Sequence, residues 1–443
     1  MSDDELLLQR RRPAGSRPSG GGGGDDDDAD IKGGDRDPAT MARGDDVAVP
    51  LLALEAAESE LNGFWKYFSL ALKVLFSMGL APSLWRNLEE EDSKSRRARR
   101  SLVDLFSVPN VALASHYWNV GLALNFLSTP VTYYLVDSLD ASAAVINQYS
   151  ALTYLPWCLK VFIGIYSDSI PLAGQHRKPY FVIGWVVFVL SCGWLALYDE
   201  PSVTQVNYLS ALMVLGYILS DVVADALIVE RSVYETKAEL GLMRTEGYVI
   251  RSVGGVTGAV LGTILYNKAS WGWGLTIGQC CLLQAAIPLL TLAPLTPWLL
   301  DTGGGYQDVV TAAREIWQLV QRRTVWWPMA FIYMYSVLQI ANPAWTNFLV
   351  EGLGFENYEI GIITIASSVF SWAALYVYKE CFFGTNWQMI YYFTTALNFL
   401  LSILQVLLVT GETGSVPKLL FATGDVAFMA FVMYMQVRST VHQ

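Results

Sequence analysis

The segment "YLSALMVLGYILSDVVADALIVER", Tyr208 to Arg231, decides the fold because it is long and apolar and yet contains two acids. About 20 apolar residues cross roughly 30 Å of hydrocarbon as an α-helix. Asp221 and Asp225 are four residues apart, so both carboxylates project from one face of that helix. An ionised carboxylate near the middle of a bilayer costs at least about 2.5–3.5 kcal/mol. The pair therefore indicates a functional site or an ion-pair network inside a membrane protein.

The whole chain has the composition of a polytopic membrane protein. Of its 443 residues, 53% are hydrophobic and 16% are charged, whereas soluble domains contain about 25% charged residues. About half of the net charge of −11 lies in the first 50 residues, which hold 12 acidic and 7 basic residues; it does not indicate a substrate, and it argues against nucleic acid as a partner. The cysteines and histidines lack metal-ligand spacing, and no catalytic motif is present. We therefore predict neither an enzyme nor a metal site.

Apolar segments predict about ten membrane-spanning helices, and hence an all-α polytopic fold. The connections on one side of the membrane hold nine Lys and Arg residues and those on the other side hold two. By the positive-inside rule this asymmetry places the N-terminus in the cytoplasm. The predicted spans lie at about residues 111–136, 143–166, 180–198, 207–228, 246–266, 275–299, 326–349, 359–378, 388–410 and 417–437.

The span pattern and composition divide the chain into five parts. Low-complexity acidic and Gly-rich sequence predicts a disordered cytoplasmic tail, and the apolar but lysine-containing segment that follows predicts an amphipathic helix at the membrane surface. The predicted parts are the tail (residues 1–60), the amphipathic helix with a charged linker (61–100), an N-terminal six-helix half (103–300), a cytoplasmic connector (301–325) and a C-terminal half (326–443).

The loop after the second span, "GIYSDSIPLAGQHRKPY" (Gly164 to Tyr180), combines glycines, an aspartate and a basic pair. An aspartate can cap a helix N-terminus or pair with a cation, and basic residues can bridge to a neighbouring helix end. The loop resembles the one between helices two and three of the major facilitator superfamily. That resemblance implies contacts that latch one access state. The predicted latch residues are Gly164, Asp168, Gly174, Arg177 and Lys178.

Other segments give a closer resemblance. The motif "SDVVADALIVERS" (220–232), the opening "YWNVGLALNFLSTPVTYYLV" (117–136) and "LFATGDVAF" (420–428) are similar to the folate–biopterin transporter family. The resemblance covers about residues 103–430 and implies a twelve-span major facilitator fold. It also implies transport of folate or biopterin-type pterins, coupled to protons and without a cofactor. Ten of the twelve expected spans are present, so a truncated gene model is expected.

The predicted substrate and proton pathway is built around span four. Arg251 lies early in span five beside a glycine face that can approach a neighbouring helix closely, and it can face both aspartates. Three interpretations stay open: Arg251 holds a substrate carboxylate while an aspartate takes the proton, the aspartates hydrogen-bond pterin amino groups, or the cluster is structural. The predicted pathway residues are Asp221, Asp225, Glu230, Arg231, Arg251, Gln339, Asn342, Trp345 and Asp425.

Alternatives also remain for the substrate, the membrane and one aromatic residue. The substrate could instead be another organic anion, such as an S-adenosyl compound or a conjugate, and a truncated form could be non-transporting. The plasma membrane, the vacuole and the plastid envelope are not distinguished. Trp345, close to the helix-breaking Pro343, either stacks on a flat pterin or packs against other side chains.

Overall fold

The computed structural model describes residues 102–235, 241–267, 271–301, 309–338, 345, 348–377, 387–410 and 417–441. The predicted tail and the predicted amphipathic helix with its linker lie outside these residues, as do Gln339, Asn342 and Pro343.

Within the described residues the regular structure is helical, apart from a single β-bridge between Leu172 and Gln175. In chain order the helices are α1 (Val111–Phe126), α2 (Ser128–Tyr133), α3 (Ala143–Cys158), α4 (Lys160–Ser169), α5 (Lys178–Ala196), α6 (Val203–Ser232), α7 (Leu242–Leu265), α8 (Ile277–Thr291), α9 (Val309–Val320), α10 (Arg323–Leu338), α11 (Asn357–Val377), α12 (Trp387–Thr410) and α13 (Lys418–Val441).

Each predicted span coincides with one or two of these helices, which confirms the prediction of an all-α polytopic fold. In the part of the chain that the structure describes, five helices are long and apolar enough to cross a membrane: α5, α6, α7, α11 and residues 388–410 of α12. The first predicted span is divided between α1 and α2 and the second between α3 and α4. Pro130 explains the first interruption, because proline lacks the N–H of a helical hydrogen bond and its ring crowds the preceding turn. The second interruption follows Pro156, which lies in the last turn of α3.

Capping boxes mark the starts of two helices. At α6, the Ser202 hydroxyl accepts from the backbone N–H of Gln205, whose side chain accepts from the Ser202 N–H. Thr276 and Gln279 repeat this arrangement at α8. Each box satisfies two backbone donors that lack a partner within the helix. The chain therefore carries local signals for where these two helices begin.

The glycine face of α7 lies directly against α1. A Cβ atom at Gly254, Gly258 or Gly262 would overlap the backbone carbonyl oxygens of α1 residues Trp118, Leu122 and Phe126 respectively. Small residues allow helix backbones to approach this closely. The prediction that this face approaches a neighbour is confirmed, and the neighbour is α1.

Polar contacts join α11 to the first half of the chain at the end of α7 opposite the predicted latch loop. The Asn357 amide donates to the backbone carbonyl of Tyr266 and to Asn267 Oδ1, the latter at 3.2 Å. Nearer the bundle centre, Asn125 Nδ2 donates to Ser368 Oγ at 3.1 Å. Because α11 also packs its Gly361 against Thr263 of α7, the two halves meet along this helix pair.

Candidate functional site

Asp221 is a completely enclosed carboxylate surrounded by hydrogen-bond donors from three helices. Its Oδ2 lies 2.6 Å from Lys160 Nζ of α4, and its Oδ1 lies 3.2 Å from Arg251 Nη1 of α7. The side chain has no solvent exposure. His116 Nε2 of α1 is 3.7 Å from Oδ1, beyond hydrogen-bond distance. The buried carboxylate is therefore paired with two cations, and burial of a charge requires such pairing.

Asp225, one turn further along α6, has a different environment. Its Oδ1 accepts the Tyr117 hydroxyl at 2.7 Å, and its Oδ2 lies 3.6 Å from Lys160 Nζ. Its side chain is 23% exposed, compared with 0% for Asp221. The two aspartates share a face of α6, as predicted, but only Asp225 is open to a small molecule or to water.

We call Lys160, Asp221, Asp225 and Arg251 the charge cluster. With both carboxylates ionised, its two positive and two negative charges sum to zero. Lys160 reaches both aspartates because it is the first residue of α4, immediately after the interruption that follows Pro156. Arg251 reaches Asp221 from α7, so the predicted approach of Arg251 to the aspartate pair is found at Asp221.

Aromatic rings stack on the cations of the charge cluster. Lys160 Nζ lies 4.9 Å from the centre of the Trp157 ring, and the Arg251 guanidinium carbon lies 5.6 Å from that ring and 5.9 Å from the ring of Tyr248. Cation–π contacts of this kind contribute about 0.5–2 kcal/mol each. The same rings offer flat apolar surfaces beside the exposed part of the cluster.

His116 is held in one tautomer by its neighbour on α5. Trp185 Nε1–H donates to His116 Nδ1 at 3.0 Å, so Nδ1 is an acceptor and the neutral ring carries its proton on Nε2, facing Asp221. The imidazole is fully buried between Tyr117, Phe181 and Trp185. His116 therefore presents a third, neutral donor edge to Asp221.

The predicted latch loop contains a tight turn and a bridging arginine. Leu172 and Gln175 exchange backbone hydrogen bonds across Ala173 and Gly174, both of which have positive φ; this is the geometry of a type I′ turn and explains the glycine. Arg177 pairs with Asp168 and also with Glu230, at 2.7 Å from Nη2 to Oε1.

The start of α5 is capped from outside the loop. Asp301 Oδ2 accepts the backbone N–H groups of Arg177 and Lys178, each at 2.9 Å, and Lys178 Nζ donates to the Pro297 carbonyl. The capping carboxylate is thus that of Asp301, whereas Asp168 lies in the last turn of α4 and serves as the ion-pair partner. A Cβ at Gly164 would make only an ordinary contact with Val222, so close packing does not require glycine there.

Glu230 and Arg231 belong to this end of the bundle rather than to the charge cluster. Glu230 is a partner of Arg177. Arg231 is buried, donates to the Leu300 carbonyl at 2.9 Å and contacts Asn110 Oδ1. Together with the Asp301 cap, these contacts hold the beginning of the connector against the start of α5 and the end of α6.

The remaining predicted pathway residues lie in the second half. Trp345 is half-buried, with its ring 5.8 Å from that of Phe348, and packs against a small apolar cluster that includes Leu349 and Phe355. These contacts favour the packing interpretation for Trp345. Asp425 lies on α13, and its side chain is outside the described residues, as are Gln339 and Asn342.

Sequence reasoning missed the α1 and α4 members of the site. Lys160 carried a clear signal, because a lysine within an apolar span is expensive and marks a functional or paired position. Tyr117 and Trp157 carried no comparable signal, since aromatic residues are abundant throughout the chain. Their place at the cluster depends on how α1 and α3 pack against α6 and α7.

Buried charges shared among helices of this length and apolarity define an integral multi-pass membrane protein with a polar site inside the bundle. A model of the BT1 family matches residues 120–438, and the chain belongs to this family. This confirms the resemblance to the folate–biopterin transporter family, and the chain is therefore a member of a transporter family and not an enzyme.

Proteins with similar sequences are named as folate-biopterin transporters. The chain is 26% identical to the folate-biopterin transporter of Synechocystis sp. over 75% of this chain and 69% of that one. It is 34% identical to probable folate-biopterin transporter 4 of Arabidopsis thaliana over 38% and 33% of the two chains. It is 22% identical to probable folate-biopterin transporter 6 of the same plant, over 71% of this chain and 64% of that one. The matches thus span between a third and about two thirds of these relatives.

Solved transporter structures resemble the chain at a low level. The nucleoside transporter NupG is 15% identical with a TM-score of 0.46, over 75% of this chain and 90% of that one. A bacterial homologue of the human lysosomal transporter Spinster, in an inward-facing unoccupied conformation, is 12% identical with the same TM-score, over 76% and 74% of the two chains.

Proposed function

We propose that this protein moves folate or a biopterin-type pterin across a membrane by alternating access, with the proton as coupling ion. Family membership supports the substrate class. The observation that carries the proposal is the unequal environment of the two aspartates: Asp221 is enclosed and paired with two cations, whereas Asp225 is partly exposed and shares Lys160 with it.

In this proposal Asp225 takes the proton and Asp221 stays ionised. Asp221 has Lys160 at 2.6 Å and Arg251 at 3.2 Å, and opposite charges this close favour the ionised carboxylate. The nearest partners of Asp225 are a neutral hydroxyl donor, Tyr117, at 2.7 Å and the more distant Lys160 at 3.6 Å. Of the two, Asp225 is therefore the carboxylate that releases and accepts a proton within the transport cycle.

Protonation of Asp225 would change the charge of the cluster from zero to +1 and release Lys160 from one of its two partners. An anionic substrate such as folate would then offset the added charge of the site as a whole, so that the proton and the anion enter together. The flat ring of a pterin fits beside the Trp157 ring, and the protonated or ionised Asp225 can hydrogen-bond the amino and ring nitrogens of the pterin. Arg251, already bonded to Asp221, holds Asp221 in place.

The test is uptake of labelled folic acid and biopterin by cells that lack their own folate uptake, with surface expression measured in parallel. Saturable uptake that a protonophore abolishes is the expected result for the wild-type protein. Unlabelled biopterin should compete, whereas an S-adenosyl compound should not. Competition by the S-adenosyl compound alone would instead support the organic-anion alternative.

The Asp225→Asn variant separates proton coupling from substrate binding. Uptake driven by a proton gradient should fall at least tenfold, while exchange of internal for external substrate at equal pH should persist, because exchange needs no net proton movement. Asp199→Asn, an exposed carboxylate distant in sequence from the cluster, is the control and should leave both unchanged. Equal loss of uptake and exchange in Asp225→Asn would rule out Asp225 as the proton carrier.

A further inference from the structure

Three cations and two aromatic rings alternate along one strip of the first half of the chain. The Arg244 guanidinium carbon lies 6.0 Å from the Tyr248 ring centre, and the Arg251 guanidinium carbon lies 5.9 Å from the same ring centre. Arg251 then continues to Trp157 at 5.6 Å, and Lys160 follows at 4.9 Å from Trp157. We call these five residues the cation–aromatic strip.

Helix geometry gives the strip its length and direction. Arg244, Tyr248 and Arg251 are at positions i, i+4 and i+7 of α7 and therefore share a face. Seven residues of α-helix rise about 10.5 Å. Arg244 lies in the first turn of α7, at the end of the bundle that carries the latch loop, and the strip leads from there to the charge cluster.

The three cations of the strip differ in how closely carboxylates pair with them. Lys160 and Arg251 are offset by Asp221 and Asp225. Among the described residues, no carboxylate oxygen lies within ion-pair distance of Arg244, whose nearest aromatic contact is Tyr248. Asp225 attracts the Arg244 guanidinium only from beyond ion-pair distance, so among the described residues Arg244 is the least closely paired cation of the strip.

An arginine in this setting is suited to an anion with a planar group. A guanidinium stacked near a ring keeps its N–H donors in the plane of the group, where they can bind a carboxylate with two hydrogen bonds. The strip thus offers a carboxylate site at one end, flat apolar surfaces along its length, and a polar, partly exposed carboxylate at the other. An elongated aromatic anion has matching groups in this order.

We propose that Arg244 and Tyr248 form a second subsite that binds the carboxylate tail of an elongated aromatic substrate while its ring end lies at Trp157, Lys160 and Asp225. This rests on the proposed function and assigns the part of the site that distinguishes substrates. A pterin with a glutamate tail occupies both ends of the strip, whereas a pterin without an anionic tail occupies only the cluster end. Arg251, in the middle, positions Asp221 and contributes its stacked face.

The experiment measures equilibrium binding of folic acid and of biopterin to the purified full-length protein in lipid nanodiscs. In Arg244→Gln the dissociation constant for folic acid should rise at least tenfold, while that for biopterin should stay within twofold. Arg244→Lys, which keeps the charge and loses the two-pronged geometry, should fall between wild type and Arg244→Gln for folic acid. Arg314→Gln, an exposed arginine of α9, is the matched control and should change neither constant.

The outcomes separate this subsite from the proposed function. If the wild-type protein binds both compounds and Arg244→Gln leaves the ratio of the two constants unchanged, the subsite is wrong and the proposed function stands. If the wild-type protein binds neither compound, both are wrong. Thermal unfolding of each variant, measured in the same nanodiscs, identifies a general loss of folded protein, which would weaken binding of both compounds alike and would count against the subsite.

Discussion

The charge balance of the cluster predicts that Asp221→Asn is strongly destabilising and that a second substitution partly reverses the loss. At an effective dielectric constant of about 20, unit charges 2.6 Å apart, as in the Lys160–Asp221 pair, attract by about 6 kcal/mol before the cost of desolvation. Removing one partner of a buried pair typically costs about 3–5 kcal/mol, because the other charge is left without a partner. Asp221→Asn leaves Lys160 and Arg251 facing only Asp225.

The double variant Lys160→Met/Asp221→Asn restores neutrality, since Arg251 and Asp225 remain. The stability lost in the double variant should be smaller than the sum of the losses in the two single variants by about 2 kcal/mol or more. A coupling of this size is typical of directly interacting groups. At roughly 2 °C per kcal/mol, Asp221→Asn should lower the midpoint of thermal unfolding by about 6–10 °C, and the double variant should recover about 4 °C or more relative to additivity.

The assay is thermal unfolding of the purified protein in one detergent at one heating rate, followed by the fraction that remains monodisperse. Asp225→Asn is the matched control on the same helix face and should lower the midpoint much less, because Asp225 is partly exposed and its closest partner is the neutral Tyr117. Strictly additive losses in the double variant would show that Lys160 and Asp221 act independently, and the reasoning from charge balance would be wrong.

Two further predictions concern packing and the latch. Gly254→Ala forces α1 and α7 apart at the Trp118 carbonyl and should cost about 1–3 kcal/mol in thermal unfolding, whereas Gly193→Ala, which meets nothing within 4 Å, should be neutral or slightly stabilising. Burial opposes the charge of Arg177, but Glu230 and Asp168 outweigh it and raise the pKa of Arg177. The contribution of this ion pair to stability is therefore fully present below the usual arginine pKa and is lost only as the pH rises through the raised pKa. Arg177→Gln should therefore lower the maximal uptake rate at every assay pH, by more than Lys178→Gln does; an equal effect of the two would contradict a bridging role.

Periodicity and composition predict most of this fold. The apolar segments locate the helices, and the positions of Asp221 and Asp225 place both on one face of α6. Their different environments follow from other helices: α1 supplies Tyr117 to Asp225, and α7 supplies Arg251 to Asp221. No property of the α6 sequence distinguishes an enclosed acid from a partly exposed one, because that difference depends on tertiary packing.

The position of Glu230 relative to the charge cluster follows from the helical repeat, and its predicted place in the pathway stays a prediction. Nine residues separate Asp221 from Glu230, and at about 100° per residue Glu230 projects from nearly the opposite side of α6. Its contact with Arg177 is what that rotation predicts. Lys160, by contrast, is far from α6 in sequence. It reaches Asp221 from the first position of α4, directly after the helix is interrupted at Leu159.

The glycine face of α7 connects the packing to the proposed chemistry. Gly247, on α7, faces the Tyr117 ring, and an added Cβ there would lie 3.1 Å from Tyr117 Cε2. Because α1 can lie this close, the Tyr117 hydroxyl reaches Asp225 and the His116 ring reaches Asp221 from adjacent residues. A wider helix separation would remove the Tyr117 hydrogen bond to Asp225 and move the His116 ring further from Asp221. The glycines of α7 that face α1 are therefore as necessary to the polar site as the charged groups themselves.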